Sequence, residues 1–227
     1  MFELNKNLEV KREFLLGTKI YIIDNFYKNP EKVADYLFNR EVPLWKIKES
    51  PSYNSLYFNE RRLILKDYRL EGVYKFLGDL CGVGYDPIIY TNMSRFSKND
   101  FNDYKNCFWW PHLDLGWNGI VYFNKNEEDS GTNLFDPVVC ENPEWEYRLS
   151  APEHYLSWRP KELYSVLKTF KSKYNSLVLF DGSKFPHSMN IVNDRFFRDI
   201  PLFSYPQVHW ENYRCNQVFF LEKGVDS

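Results

Sequence analysis

Cysteine is scarce in this chain of 227 residues, and its four cysteines are widely separated. Because no two of them form a Cys-x-x-Cys pair, the sequence favours neither a zinc knuckle nor a dense disulfide framework. No window approaches the roughly 18 apolar residues of a membrane span, and the N-terminus has no basic region followed by an apolar stretch. We therefore expect a reduced, cytoplasmic protein that does not span a membrane.

An excess of charge of one sign is also absent, because the formal net charge is -2 and the sequence pI is near 6.1. Such a balance gives no global attraction to nucleic acid or to anionic membranes. The chain also lacks a basic stripe interleaved with aromatic residues. We therefore expect a small molecule or a protein side chain, rather than nucleic acid, as the substrate.

Aromatic residues, in contrast, are abundant at 19% of the chain, and they fall in strand-like runs. All-β barrels and sandwiches of this length usually form one domain, and neither an internal repeat nor a linker indicates a second one. We predict a single, mainly β domain over residues 1–227. Residues 1–87 would form an N-terminal support region, and residues 88–221 the β core.

The local patterns predict helices mainly before residue 87 and strands mainly after it. The first part predicts one strand and two helices: Lys19–Phe26, Glu31–Phe38 and Leu70–Cys81. The second part predicts seven strands and one further helix: Ile88–Arg95, Phe108–Asp114, Gly119–Phe123, Asn133–Phe135, Ser176–Phe180, His187–Val192 and Cys215–Leu221, with the helix at Leu163–Phe170. Segments 45–59 and 138–160 match no period, and we expect loops that border a site.

A histidine and a carboxylate stand two residues apart in one aromatic run, at His112 and Asp114. On a strand, a spacing of two puts both side chains on one face. A third candidate, His187, follows a strand and an Asp-Gly turn. Two histidines and one carboxylate on one face of an octahedral Fe(II) leave positions open for a chelating cosubstrate and O2. The sequence therefore predicts His112, Asp114 and His187 as metal ligands, whereas His154 and His209 are expected to be packed side chains.

The motifs around these residues follow a known order. They are His112-Leu113-Asp114, Val121-Tyr122-Phe123-Asn124, Ser130-Gly131-Thr132-Asn133-Leu134-Phe135, Pro186-His187 and Tyr213-Arg214. This order resembles that of the 2-oxoglutarate and Fe(II)-dependent oxygenases, in particular their prolyl-hydroxylase-like branch, over roughly residues 88–221. The resemblance implies a double-stranded β-helix, which is a jelly-roll or cupin-like fold, with a few N-terminal packing helices.

The resemblance also implies Fe(II), O2 and 2-oxoglutarate, with the cosubstrate bound to iron by its 1-carboxylate and 2-keto oxygen. An arginine would bind the far carboxylate, and Arg214 is the matching residue. The charge balance agrees with an arginine at this position. Fe(II) with Asp114 carries +1, the cosubstrate carries -2, and one arginine restores neutrality. A planar guanidinium also forms two parallel hydrogen bonds with a carboxylate.

Two departures from the family's pattern affect the cosubstrate residues. An apparent insertion at residues 193–212 precedes Arg214, so Arg195 is the competing arginine. Phe96 stands where the family often has a tyrosine. The hydrogen bonds to the cosubstrate are therefore expected from Tyr90, Asn92 or Tyr122.

Asp114 also bears on the reaction, because the related halogenases have Gly or Ala at that ligand position. The resemblance thus implies hydroxylation of a C–H bond with release of succinate and CO2, and no catalytic residue beyond the metal ligands. Two other classes stay open: a cupin-like metal-binding barrel without oxygenase activity, and an interaction module whose His-x-Asp is accidental. Three tryptophans beside the motif, Trp109, Trp110 and Trp117, either shape a pocket or pack in the core.

Overall fold

The computed structural model describes residues 1–40, 60–96, 103–138, 158–197 and 210–222. These residues form three α-helices, which are α1 (Pro30–Phe38), α2 (Glu71–Cys81) and the single turn α3 (Asp103–Asn106), besides short 3-10 turns. They also form twelve strands, which are β1 (Glu9–Leu15), β2 (Thr18–Asp24), β3 (Glu60–Lys66), β4 (Ile88–Ser94), β5 (Cys107–His112), β6 (Trp117–Tyr122), β7 (Ser130–Phe135), β8 (Trp158–Pro160), β9 (Val166–Lys171), β10 (Leu177–Asp181), β11 (His187–Ile191) and β12 (Arg214–Leu221).

The strands form two antiparallel sheets. The larger sheet has the order β1-β2-β10-β6-β12-β4-β3, and the smaller has the order β8-β5-β11-β7-β9. From β4 onwards, successive strands mostly alternate between the two sheets, so that β4, β6, β10 and β12 face β5, β7, β9 and β11. This arrangement is a double-stranded β-helix, a jelly roll, and it confirms the predicted fold class.

The outer face of the larger sheet is buried by the N-terminal helices. Apolar residues of α1 and α2, among them Leu37 and Leu77, pack with outward-facing strand residues such as Val121 and Phe219. The apolar residues of both helices recur at spacings of three and four, which puts these side chains on one stripe of each helix. The region before residue 87 also contributes β1, β2 and β3 to the larger sheet.

The space between the sheets is divided into a packed part and an open part. On the side of β2 and β10, inward-facing residues such as Ile20, Ile120 and Phe180 form a buried apolar cluster. On the side of β4 and β12, the inward-facing residues line a cavity instead. Because side chains alternate along a strand, β12 sends Phe219 to the helices and Val218 to the cavity.

Three details of the secondary structure differ from the sequence predictions. The helix predicted at Leu163–Phe170 is wrong: a short 3-10 turn ends at Leu163, and β9 then pairs with β7. Apolar residues at helical spacing lie there, but the strand's hydrogen bonds and the burial of Phe170 prevail over that local pattern. Asp114 lies beyond the end of β5 rather than within it. Strands β1, β3 and β8 were not predicted.

The two predicted loops fall mainly outside the described residues. Segment 45–59 lies wholly outside them, and of segment 138–160 only its ends are described, the last three residues forming β8. None of the helices within the described ranges is long and apolar enough to cross a membrane.

Candidate metal centre

The structure brings His112, Asp114 and His187 together at one point of the cavity wall. One ligand atom from each lies within 4.8 Å of the others. The Oδ2 atom of Asp114 is 3.2 Å from Nε2 of His187 and 3.6 Å from Nε2 of His112. These three side chains could hold one metal ion at this spacing, and their role as ligands stays a prediction.

A β-bulge positions the two histidines opposite each other. His187 pairs with His112 across β11 and β5, but Met189 pairs with Trp109, so β5 contains one extra residue between the two pairs. Trp110, within the bulge, has a left-handed backbone with φ of 45°. A bulge redirects the side chains that follow it, and here it lets both imidazoles point into the same space.

A contact between two turns fixes Asp114. Its backbone N–H donates to the carbonyl of Gly182 at 3.0 Å, and the N–H of Gly182 donates to the carbonyl of Gly116 at 2.7 Å. A Cβ at position 182 would lie 2.8 Å from the amide nitrogen of Asn118, so a larger residue there would displace the Asn118 side chain. The turn that carries Asp114 is therefore tied to the turn that leads to His187.

Both histidines make a hydrogen bond that selects their tautomer. Nδ1 of His112 lies 2.7 Å from the carbonyl oxygen of Trp110, and Nδ1 of His187 lies 3.1 Å from that of Phe185. A carbonyl only accepts, so we assign the proton to Nδ1 in each ring. In a neutral ring, the lone pair of Nε2 then points towards Asp114, which is the arrangement that metal-binding histidines have.

The environment also favours the protonation states that bind metal. Burial raises the pKa of Asp114, but when the histidines are protonated the charge and hydrogen bond of His112 and the hydrogen bond of His187 outweigh burial and hold that pKa well below its usual range. Burial lowers the pKa of His187, and the neighbouring His112 lowers it further, against the opposing effect of Asp114. The carboxylate is thus ionised, and the buried imidazole tends to be neutral.

Asn118 on β6 contacts two of the three side chains. Its Nδ2 donates to Oδ2 of Asp114 at 2.5 Å and lies 3.1 Å from Nε2 of His187. Its Oδ1 is buried and has no hydrogen-bond partner among the described residues. Asn118 therefore holds the Asp114 carboxylate in place by a hydrogen bond from β6, as residues that support metal ligands commonly do.

We expect Asn118→Ala to weaken Fe(II) binding by about 10- to 100-fold, because the carboxylate loses the hydrogen bond that holds it. Anaerobic titration with Fe(II) measures the effect. The matched control is Asn133→Ala, which removes a buried asparagine of β7 that hydrogen-bonds Thr169 instead. Unchanged Fe(II) affinity in Asn118→Ala would show that the contact is only packing.

The candidate centre opens into a cavity of about 450 Å³, a size typical of small-molecule sites. Of the predicted cosubstrate residues, Tyr90, Asn92 and Arg214 line it. The guanidinium of Arg214 is buried at the start of β12, and its Nη2 donates to the carbonyl of Gly131 at 2.8 Å.

The other two candidates are placed differently. Tyr122 belongs to the apolar cluster, and its hydroxyl lies 2.7 Å from Oγ1 of Thr132, which does line the cavity. Arg195 is not among the lining residues; its Nη1 donates to Asp129 at 2.6 Å and its Nη2 to the carbonyl of Glu211 at 3.2 Å.

Several lining residues were missed by sequence reasoning. Asn216 lies within the predicted strand Cys215–Leu221, and Asn118 lies one residue before the predicted strand Gly119–Phe123. A spacing of two from Arg214 and from Ile120 would have pointed to them. Arg62 lies on β3, which was not predicted. Trp109 and Trp110 line the cavity, whereas Trp117 packs in the core on the far side of the sheet.

No family model matches the sequence, and no curated protein matches it. Solved structures do match. The non-heme alpha-ketoglutarate-dependent epimerase SnoN from nogalamycin biosynthesis is 8% identical, with 90% of this chain and 78% of SnoN covered and a TM-score of 0.51. The carbocyclase SnoK from the same biosynthesis is 9% identical, with 89% and 79% covered and a TM-score of 0.47. At this identity the likeness to SnoN shows the fold, in agreement with the strand order described above.

Proposed function

We propose that this protein is an Fe(II)- and 2-oxoglutarate-dependent oxygenase that hydroxylates a C–H bond, with release of succinate and CO2. The observation that carries the proposal is the set of His112, Asp114 and His187, oriented for one metal ion, on the wall of a cavity that also contains a buried arginine.

The residues present fit Fe(II) by their donor chemistry. Two imidazole nitrogens and one carboxylate oxygen form the facial set that non-heme Fe(II) oxygenases use, and it leaves coordination positions for other ligands. A structural zinc site would have four protein ligands instead. When bound, Fe(II) with 2-oxoglutarate and O2 supplies the oxidising chemistry, which protein side chains alone do not provide.

The chain's own residues would orient the metal ligands and neutralise the charge of the cosubstrate. Asp114 keeps its negative charge, and the two histidines are held in one tautomer by backbone carbonyls. Arg214 would bind the far carboxylate of the cosubstrate, with hydrogen bonds from Tyr90 and Asn92. Tyr122 would act through Thr132, since its hydroxyl bonds to that side chain.

Two observations bear on the reaction and on the substrate. SnoN and SnoK are described as an epimerase and a carbocyclase, so enzymes of similar structure have different reaction outcomes. For this chain, the presence of Asp114 favours hydroxylation over halogenation. The comparisons do not support the sequence-based expectation that nucleic acid is an unlikely substrate, and we propose only that the substrate enters this cavity.

We expect Arg214→Gln to weaken 2-oxoglutarate binding by at least about 30-fold, because the buried carboxylate of the cosubstrate would lose its charged partner. Calorimetric titration of the metal-loaded protein measures the affinity. The matched control is Arg195→Gln, which removes the same charge from a residue outside the cavity lining. Loss of affinity in Arg195→Gln alone would show that the assignment to Arg214 is wrong.

Turnover tests the proposed function as a whole. Wild-type protein with Fe(II), O2, 2-oxoglutarate and ascorbate as the reductant should form succinate and CO2, and Asp114→Ala should not. Stoichiometric metal binding without 2-oxoglutarate binding or succinate formation would favour the second candidate, a cupin-like metal-binding barrel, for which the same triad and fold are sufficient.

A further inference from the structure

One register row of the larger sheet presents apolar side chains to the cavity on four neighbouring strands. Ile64 of β3 pairs with Tyr90 of β4. Val218 of β12 pairs with Tyr90 on one side and with Ile120 of β6 on the other. All four side chains, which we call the apolar row, line the cavity. Neighbouring strands lie about 4.8 Å apart, so the row is roughly 14 Å long.

The apolar row runs from an edge of the sheet towards the candidate metal centre. Ile64 is 57% exposed on the edge strand β3, whereas Ile120 is 8% exposed and belongs to the apolar cluster between the sheets. Asn118 lies two residues before Ile120 on β6, so it faces the same side, and it contacts two of the candidate metal ligands. A ligand that lies along the row therefore has one end beside the metal centre and the other end at the exposed edge.

Both walls of the cavity beside the apolar row are rich in aromatic and apolar side chains. Trp109 and Trp110 of β5 and Met189 of β11 line the cavity from the smaller sheet. On the larger sheet, the ring of Phe220 packs edge-on against Tyr90, with 4.9 Å between the ring centroids. Such walls favour a ligand with an apolar or aromatic body, which replaces water against them.

The charged side chains of the cavity have other partners. Among the described residues that line it, the side chains that carry full charges are those of Arg62, Asp114 and Arg214. In the proposed function, Asp114 binds the metal ion and Arg214 binds the far carboxylate of the cosubstrate. Arg62 already makes an interaction within the protein. An ionised group on the substrate would therefore be buried without a charged partner of its own, which is unfavourable in a low-dielectric cavity.

From these observations we infer that the primary substrate is an uncharged molecule with an elongated, apolar or aromatic body that lies along the apolar row. This inference rests on the proposed function, because it names the substrate class of the same cavity. The buried end of the substrate, at Ile120, carries the C–H bond that reacts. The exposed end, at Ile64, contributes to binding only.

Three two-ring probes test the absence of charge on anaerobic Fe(II)-loaded protein with saturating 2-oxoglutarate. They are biphenyl-4,4′-dimethanol, biphenyl-4,4′-dicarboxylate and 4,4′-bis(aminomethyl)biphenyl, and calorimetry measures their binding. Because both ends of the ionised probes are charged, one charge has to enter the cavity. We expect the neutral diol to bind at least about 10-fold more tightly than either ion. Equal or tighter binding of the dicarboxylate or the diamine would overturn the inference.

The one-ring analogue 1,4-benzenedimethanol tests the elongated shape of the site. It is long enough to cover the buried half of the apolar row, and the second ring of the biphenyl diol covers the exposed half. We expect the biphenyl diol to bind at least about 10-fold more tightly, because its second ring removes further apolar surface from water. Equal affinities of the two diols would contradict an elongated site.

Ile64→Thr makes the exposed end of the apolar row polar and keeps a β-branched residue on the strand. It should weaken binding of the biphenyl diol by at least about 3-fold and leave the affinities for the benzene diol and 2-oxoglutarate unchanged. The matched control is Val10→Thr, which changes an exposed apolar residue of β1 at the opposite edge of the sheet. Normal binding of the biphenyl diol by Ile64→Thr, or no binding of either diol by the wild type, would overturn the inference.

Titration of the two diols without 2-oxoglutarate separates this inference from the proposed function. Failure of the wild type to bind 2-oxoglutarate would contradict the proposed function. The diols would still report on the apolar row in that case, because their contacts with it do not involve the cosubstrate.

Discussion

His187→Ala should abolish stoichiometric Fe(II) binding, and Asp114→Ala and His112→Ala should do the same. Each variant removes one of three protein ligands, and the two remaining donors leave most coordination positions to water. All three side chains line the cavity, and the ring of His187 also packs edge-on against Phe180 of the apolar cluster, so the fold should persist with some loss of stability in His187→Ala. Metal analysis after anaerobic reconstitution measures the occupancy, and circular dichroism checks the fold.

The matched control for this series is His154→Ala, which removes a histidine that the sequence analysis does not assign to the metal. It should bind iron as the wild type does. If any of the three ligand variants retained stoichiometric iron while folded, that residue would have to be removed from the proposed ligand set.

Gly131→Ala should destabilise the protein by about 3 kcal/mol or more, because the backbones of β7 and β9 lie too close for a side chain there. A Cβ at position 131 would lie 1.9 Å from the carbonyl oxygen of Phe170. Backbone atoms of a paired strand cannot move aside cheaply, and the carbonyl of Gly131 also accepts from Arg214. Chemical denaturation measures the free energy of unfolding.

Gly72→Ala provides the matched control, since a Cβ on this residue of α2 meets nothing within 4 Å. Alanine in a helix is favoured over glycine by up to about 1 kcal/mol, so this variant should be as stable as the wild type or more so. A Gly131→Ala variant of wild-type stability would mean that β7 and β9 are not packed as closely as described.

Much of the fold could be predicted because the local patterns agree with the tertiary structure. The apolar stripe of α2 faces the sheet, and the short apolar runs after residue 87 form strands whose ends lie within three residues of the predicted ends. The segment Leu163–Phe170 shows the limit of this reasoning. Its apolar residues fit a helix by spacing, but pairing with β7 satisfies its backbone and makes it a strand.

The candidate site was predictable in its residue types but not in its geometry. The spacing of His112 and Asp114 suggested one strand face, whereas the structure uses a bulge at Trp110 and a contact between two turns to bring the side chains together. A bulge depends on the partner strand, so the sequence of β5 alone does not reveal it. Arg62 was missed for a similar reason, since its place in the cavity depends on the pairing of β3 with β4.

The most direct test of the central claim is an anaerobic titration of Fe(II)-loaded wild-type protein with 2-oxoglutarate, followed by visible absorption. The account predicts that the weak charge-transfer band of an iron-bound keto acid appears and saturates at one equivalent of 2-oxoglutarate. In Arg214→Gln the same band should reach saturation only at a much higher concentration of 2-oxoglutarate. Absence of the band while iron is demonstrably bound would contradict the account and favour a metal-binding barrel that uses another ligand.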